Sequence, residues 1–419
     1  MKLESNREKG SEIMTVISRT TGEIQEQIRT NIDVNQAAYI QTSHEIHDNP
    51  EIGNEEVFAS SLLTSLLEKE GFQVERGVAG HETAFVARKR SILDGPSVAF
   101  LAEYDALPGI GHACGHNIIG TSSVAAAIAL ASVIDEIGGE VAVFGTPAEE
   151  GGENGSAKGS FVKHGLLDGI DAALMFHPGN ANRITGTSLA VDPMDFEYIG
   201  KPAHAAAAPE KGINALDAVI QLFVGINALR QHVADDVKIH GIITHGGDAP
   251  NIVPEYAKAR FYIRASTRAR LDETTKKVTA IAEGAALATG AKLNVIAFQN
   301  QVDNLLLNRS FDKVFQEQLE SLGAAVDTSH RSGLGSTDAG NISQAVPTIH
   351  PYLQIGPDHI VGHTDEFREA AKSEQGDQAL ILGAKALALT GYQLLTNGEV
   401  LAGIKKEFEV NKAKELASV

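Results

Sequence analysis

Only one cysteine, Cys114, occurs in a chain of 419 residues. No intramolecular disulfide can form, and an oxidising compartment is neither required nor supported. Cations are scarce as well: 35 Lys and Arg stand against 54 Asp and Glu, a formal charge of −19. Nucleic acid and anionic membrane surfaces are bound through clustered Lys and Arg, so neither is expected as a partner, and the acidity reads as solubility. The longest apolar run, residues 122–134, is too short to span a bilayer and reads as a buried helix. Residues 1–11 are polar and mixed in charge, without the apolar centre of a signal peptide, so the expectation is a cytoplasmic protein. No internal repeat or low-complexity tract is visible. What remains is an ordinary globular composition, 43% hydrophobic, with length for two or three domains.

The hydrophobic pattern orders the chain. A helix is predicted over 13–47, stopped by Asp48-Asn49-Pro50, and a second over 55–70, ending at Gly71. Strands are predicted over 83–87 and 97–102, a helix over 120–137, and further strands over 140–145 and 172–176. This alternation predicts an α/β fold with a doubly wound, mostly parallel sheet, in which ligands sit beyond the carboxyl ends of the strands. From about residue 191 the texture changes: strand 195–199, helix 213–232, strands 238–244 and 257–265, helix 274–289, strand 292–298. That β-α-β-β-α-β order predicts an inserted ferredoxin-like α+β domain over 191–303, dividing a first domain into 1–190 and 304–419. In the last part a central strand is expected over 347–353 and a helix over 367–396.

The strand-end rule gathers chemistry. Asp105, Cys114, His116, Glu149, Glu150 and His177 all fall just after predicted strands or shortly before a following helix. Cys114 and His116, separated by one glycine in extended backbone, project from the same side and could grip one ion. Cys114 alone reads as an inert core residue, and Glu149-Glu150 alone as a solvated acidic turn. Because neighbours in an extended segment point to opposite sides, one carboxylate could ligate a metal while the other serves as a general base. His177 and His363 could each be held in a core by a backbone hydrogen bond or serve as ligands. Three other patterns fail. Gly109-Ile110-Gly111 lacks the third glycine of a dinucleotide fingerprint, its place taken by Cys114. Residues 186–190 approach a nucleophile elbow without the closing glycine. His44-Glu45-Ile46-His47 brings its second histidine one residue too early for an i, i+4 zinc pair, so a polar helix end is preferred.

Together, Ala106-Leu107-Pro108, His112-Ala113-Cys114-Gly115-His116, Pro147-Ala148-Glu149-Glu150-Gly151-Gly152, Phe176-His177 and Gly362-His363-Thr364 resemble motifs of the M20 metallopeptidase and amidohydrolase family. The likeness runs from about residue 45 to about residue 369. It is strongest to the branch containing p-aminobenzoyl-glutamate hydrolase and M20 domain-containing dipeptidases, with support from the segments 335–341 and 346–351. The resemblance implies two divalent metal ions, Zn or Mn, held by Cys114, His116, Glu150, His177 and His363. It further implies Glu149 as general base, Asp105 orienting His116, and a lid-like insert through which the chain forms a homodimer. His204 would stabilise the oxyanion, often from the partner subunit, while Asn251 and Arg264 would grip substrate polar groups. Asn117 departs from the Asp common after Cys-Gly-His in the wider group and reads as a mark of this branch. The expected activity is metal-dependent hydrolysis of an amide or peptide bond in a small carboxylate-bearing substrate: an N-acyl amino acid, an aminobenzoyl-glutamate or a dipeptide. The alternative is a non-catalytic, metal-containing binding protein for a small ligand.

Overall fold

The computed structural model describes residues 19–329 and 335–416. Residues 13–18 of the first predicted helix lie outside the described residues. In chain order the strands are β1 (Gln73–Arg76), β2 (Phe85–Arg90), β3 (Ser97–Ala102), β4 (Glu140–Gly145), β5 (Ala172–Leu174) and β6 (His177–Gly179). There follow β7 (Ala190–Ile199), β8 (Lys238–His245), β9 (Tyr256–Ala265), β10 (Lys292–Ala297), β11 (Thr348–Ile349) and β12 (Tyr352–Gln354).

The six-stranded central sheet has the order β1-β2-β4-β3-β5-β11, with β4, β3, β5 and β11 parallel and β1 and β2 antiparallel at one edge. Every residue of β3 is buried, as a strand covered on both faces requires. The helix His116–Ala131 is buried along its whole length, packed against the sheet and against the helices Thr21–Asp48 and Glu374–Thr396. Its alanines and the glycines of Glu374–Thr396 permit that closeness. A Cβ on Gly383 would stand 2.1 Å from the Phe176 ring. Glu374–Thr396 is long and apolar enough to cross a membrane by length and composition, yet most of it is buried in this core.

A second, four-stranded sheet has the order β10-β7-β9-β8, every pair antiparallel, and is the ferredoxin-like arrangement the sequence pattern predicts. Buried and half-buried residues alternate strictly along β9, and the buried set joins the helices Ala215–Leu229 and Arg268–Thr289 in a separate core around Phe196, Phe261 and Leu222.

Local differences from the sequence reading have physical causes. The strand expected over 347–353 is two strands: β11 pairs with β5 in the central sheet, and after Pro351 β12 pairs with β6. The helix expected over 367–396 is likewise two, Asp365–Ala370 and Glu374–Thr396, because the Ser373 hydroxyl accepts from the Gly376 amide and starts a new helix.

Candidate metal centre

The ends of β3, β4 and β5 deliver the site. Beyond β3, Asp105 is fully buried and its carboxylate makes two directed contacts. Oδ1 and the Asp105 carbonyl each accept from His116 Nδ1 at 3.0 Å, and Oδ2 accepts from the Glu150 amide at 2.9 Å. A carbonyl can only accept, so His116 Nδ1 carries a proton and Nε2 is the ring nitrogen left to meet a cation. Gly115, between Cys114 and His116, has φ +76°, and a Cβ there would meet Pro178 at 2.8 Å. That turn needs glycine for both conformation and space. Beyond β4, Ala148 takes φ +57°, a strained value for alanine, and turns Glu149 and Glu150 into the cavity. His177 Nδ1 donates to the Pro178 carbonyl at 2.7 Å, which again frees Nε2. His363 also has φ +67°, and its amide donates to Ala113 O at 2.9 Å, fastening a loop 249 residues away to the Cys114 turn.

These side chains converge. His363 Nε2 lies 3.1 Å from Cys114 Sγ and 3.5 Å from Glu150 Oε2, and His116 Nε2 lies 3.9 Å from both Glu149 Oε2 and Glu150 Oε1. In each of the sets Cys114-His116-His177, Cys114-Glu150-His363 and His116-Glu149-Glu150, the donor atoms lie within 4.8 Å of one another. Thiolate, imidazole and carboxylate at that spacing suit a divalent transition metal. Two orphaned atoms sharpen the fit: His116 Nε2 and Glu150 Oε1 are buried with no hydrogen-bond partner, a costly state that a cation would relieve.

Without a cation, several of the donors hold protons, and burial pushes the Cys114 thiol well up. Glu149 is held well above the usual carboxylate range by burial and by the neighbouring charges of Glu103 and Glu150. Burial alone works against protonation of His116, but the charge and hydrogen bond of Asp105 outweigh it and raise its pKa well above the ordinary value. A cation on Nε2 would take the place of that proton. Burial, with His350 and His116 nearby, lowers His177 to about 3 and keeps it a neutral imidazole.

Behind this rim, Glu56 is buried and accepts from Ala148 N at 2.9 Å and Thr83 Oγ1 at 2.8 Å. Burial and the Asp105 charge raise its pKa from 4.5 to about 7. Between those values the folded protein holds a proton that the unfolded chain has lost, so stability falls as pH rises through the window and the full cost remains above it. Glu56→Gln is therefore expected to raise Tm at pH 8 relative to wild type, with no gain at pH 4. An equal shift at both pH values in thermal melts would contradict this origin.

A cavity of about 350 Å³ opens over the donors, lined on its other side by Val191, Tyr262, Arg264, Gln299 and Val302 of the second sheet and its flanks. That size suits a small ligand. Arg264 Nη1 donates to Ser336 Oγ at 3.1 Å, its Nε is buried without a partner, and among the described residues no carboxylate pairs with it. His204 and Asn251 lie elsewhere: Asn251 O accepts from the Ala205 amide, His204 bridges to Ile252, and neither lines this cavity. The near-signature histidines are structural. His44 Nε2 pairs with Asp377 Oδ1 at 2.7 Å, and His47 Nε2 donates to Arg368 O at 2.9 Å.

Sequence reasoning missed four groups beside the donors. Glu103, Lys158 and Asp338 form a buried ion-pair cluster, and His350, whose ring nitrogens have no hydrogen-bond partner, packs its ring 5.4 Å from that of His177. Glu103 and His350 sit at strand ends and were open to the same rule. Lys158, on a seven-residue helix, carries no sequence signal.

Residues 99–388 match Peptidase family M20/M25/M40. An Xaa-Arg dipeptidase of Mus musculus is 36% identical over 388 residues, covering 89% of each chain. A p-aminobenzoyl-glutamate hydrolase subunit of Escherichia coli (strain K12) is 35% identical over 314 residues, 70% of this chain and 64% of that one. Among solved structures, a dinuclear metal binding peptidase of Bacillus subtilis shares the fold with a TM-score of 0.61 at 19% identity, covering 87% of this chain and 99% of that one. The matched span contains all the convergent donors from Cys114 to His363 together with Asp105, and the chain belongs to peptidase family M20/M25/M40.

Proposed function

We propose that this hydrolase cleaves an amide or peptide bond beside a free carboxylate in a small substrate, using two divalent cations, Zn or Mn, held by Cys114, His116, Glu150, His177 and His363. The observation that carries this reading is one cavity lined both by convergent donors with orphaned atoms and by Arg264, with which no carboxylate among the described residues pairs. The names of the relatives, an Xaa-Arg dipeptidase and a p-aminobenzoyl-glutamate hydrolase, point to the same bond type. Cations bound there would acidify a water and polarise the scissile carbonyl.

The chain's own groups supply the rest. Glu149 takes the proton of the attacking water and returns it to the leaving amine. Asp105 holds the His116 tautomer that offers Nε2. Arg264, steadied by Ser336, receives the substrate carboxylate as a charge-assisted hydrogen bond. His204 and Asn251 act on the site of a second copy, His204 stabilising the oxyanion. Exposed Ile220 and Val224 on the helix Ala215–Leu229, with Ile242 and Ile243 on the edge strand β8, support homodimerisation through residues 191–303, the lid of a catalytic domain made of 1–190 and 304–419. A thiolate ligand fits a reducing, cytoplasmic setting.

The test is a hydrolysis panel of N-acyl amino acids, p-aminobenzoyl-glutamate and dipeptides, with metal-depleted protein reconstituted with Zn or Mn. Binding of metal and a carboxylate ligand without turnover anywhere in the panel would overturn hydrolysis in favour of a binding protein. Arg264→Ala is expected to raise KM about 10- to 100-fold for free carboxylates. Its effect should vanish for substrates whose carboxylate is capped as an amide, and an equal loss on both would show that Arg264 does not read the carboxylate.

A further inference from the structure

The cluster behind Glu149 has no part in the chemistry described so far. Lys158 is fully buried, with Nζ 2.5 Å from Glu103 Oε1 and 2.6 Å from Asp338 Oδ1, and both carboxylates are also buried. Asp338 Oδ2 accepts from the Lys158 backbone amide at 3.1 Å, so it holds both ends of the same residue. Three ions are thereby withdrawn from water. Such clusters contribute little to stability, because desolvation offsets most of the attraction and apolar replacements are often as stable. Its place in the fold gives a better reason. Carboxylate oxygens of Glu103, Asp338 and Glu149 lie within 4.8 Å of one another, and Glu103 Oε2 lies 3.6 Å from His116 Nε2. Lys158 thus ties the segment after β3 to the start of the helix Ala339–Ala345, beside Glu149 of the loop after β4, and it supplies the positive charge among carboxylates that would otherwise repel one another.

We propose that Lys158 is a positioning residue for the hydrolytic step: its ammonium clamps Glu103 and Asp338 into the wall that fixes where the Glu149 carboxylate stands. The clamp acts through Glu149 and therefore rests on the reading of Glu149 as the base. It predicts loss of turnover without loss of substrate binding, since Lys158 does not line the cavity or face Arg264. A misplacement of about 1 Å at a reacting group costs up to ~100-fold in rate.

Lys158→Met alone leaves two buried carboxylates uncompensated and is open to misfolding. The main test is therefore the charge-balanced double variant Glu103→Gln/Lys158→Met, which removes one charge of each sign and changes no residue lining the cavity, with Lys158→Met/Asp338→Asn as its counterpart. Steady-state kinetics on a substrate from the panel are measured at saturating metal, beside Glu149→Gln, with metal content and thermal melts as controls. A folded double variant is expected to lose about 10- to 100-fold in kcat with KM within about threefold of wild type. If a folded double variant retains kcat within about twofold while Glu149→Gln is inactive, the clamp is wrong and the base assignment stands. If Glu149→Gln is near normal, the base reading fails first and the clamp falls with it. A loss of kcat seen at limiting metal but absent at saturating metal also overturns the clamp, because Lys158 would then serve metal retention. Failure of both double variants to fold would assign the cluster to stability, contrary to the proposal.

Discussion

Glu149→Gln is expected to lower kcat by about 10²- to 10⁴-fold with fold, metal content and KM near wild type. The substitution keeps shape and one oxygen but cannot accept a proton from the attacking water or return it to the leaving amine. Its neighbour should behave differently. The Glu150 amide is fixed by Asp105 Oδ2 at 2.9 Å, Glu150 Oε2 lies 3.5 Å from His363 Nε2, and Oε1 is buried without a partner. Those are the surroundings of a ligand, so Glu150→Gln should weaken metal binding. Glu149 shares with Glu150 the 3.9 Å approach to His116 Nε2, but it is Glu149 whose carboxylate sits beside the buried carboxylates of Glu103 and Asp338. Kinetics beside elemental analysis separate the two glutamates. Near-normal turnover in Glu149→Gln, or metal loss there with retention in Glu150→Gln, would reverse the assignment.

Glu149, Glu150 and His177 were legible because they follow closely on β4 and β5, strands buried on both faces that give strong signals, and Cys114 and His116 because they open a helix; His363, well past β12, was legible only through its motif. The pair at Cys114 and His116 is fixed by a local turn whose glycine is visible as a letter. What the sequence hid is long-range. Asp338 meets Lys158 across 180 residues, and neither carries a local pattern that foretells the other. His350 falls inside a run that reads as one strand, and the break after it at Pro351 becomes meaningful only once β12 is seen to pair with β6. Two elements went unread where burial is weak. In β1 no residue is fully buried, as befits an edge strand. The helix Gly398–Leu416 buries only Leu401, Ile404 and Phe408, too few to stand out as a stripe. His204 and Asn251 illustrate another limit: their motif was readable, but one chain does not bring them to the cavity that Arg264 shares with the donors.

Removal of metal is the second large effect expected. A chelator should abolish hydrolysis, and added Zn or Mn should restore it, with a rise in Tm as the folded state is populated by ligand. The donor chemistry then allows the ligands to be graded. Cys114→Ala removes the soft donor 3.1 Å from His363 Nε2 and should lower both metal content and activity, whereas Cys114→Ser keeps a donor atom that favours harder ions. If thiolate selects the metal, Cys114→Ser should lose more activity with Zn than with Mn; unchanged metal content in Cys114→Ala would contradict the ligand role outright. Asp105→Asn probes the same centre from behind. Its amide oxygen can still accept from His116 Nδ1, but the NH2 that replaces Oδ2 can no longer accept from the Glu150 amide. Metal affinity should fall about 10- to 100-fold. Since His116 keeps its tautomer in that variant, the loss would report how far Glu150 depends on Asp105 for its aim, and unaltered affinity would remove Asp105 from the machinery.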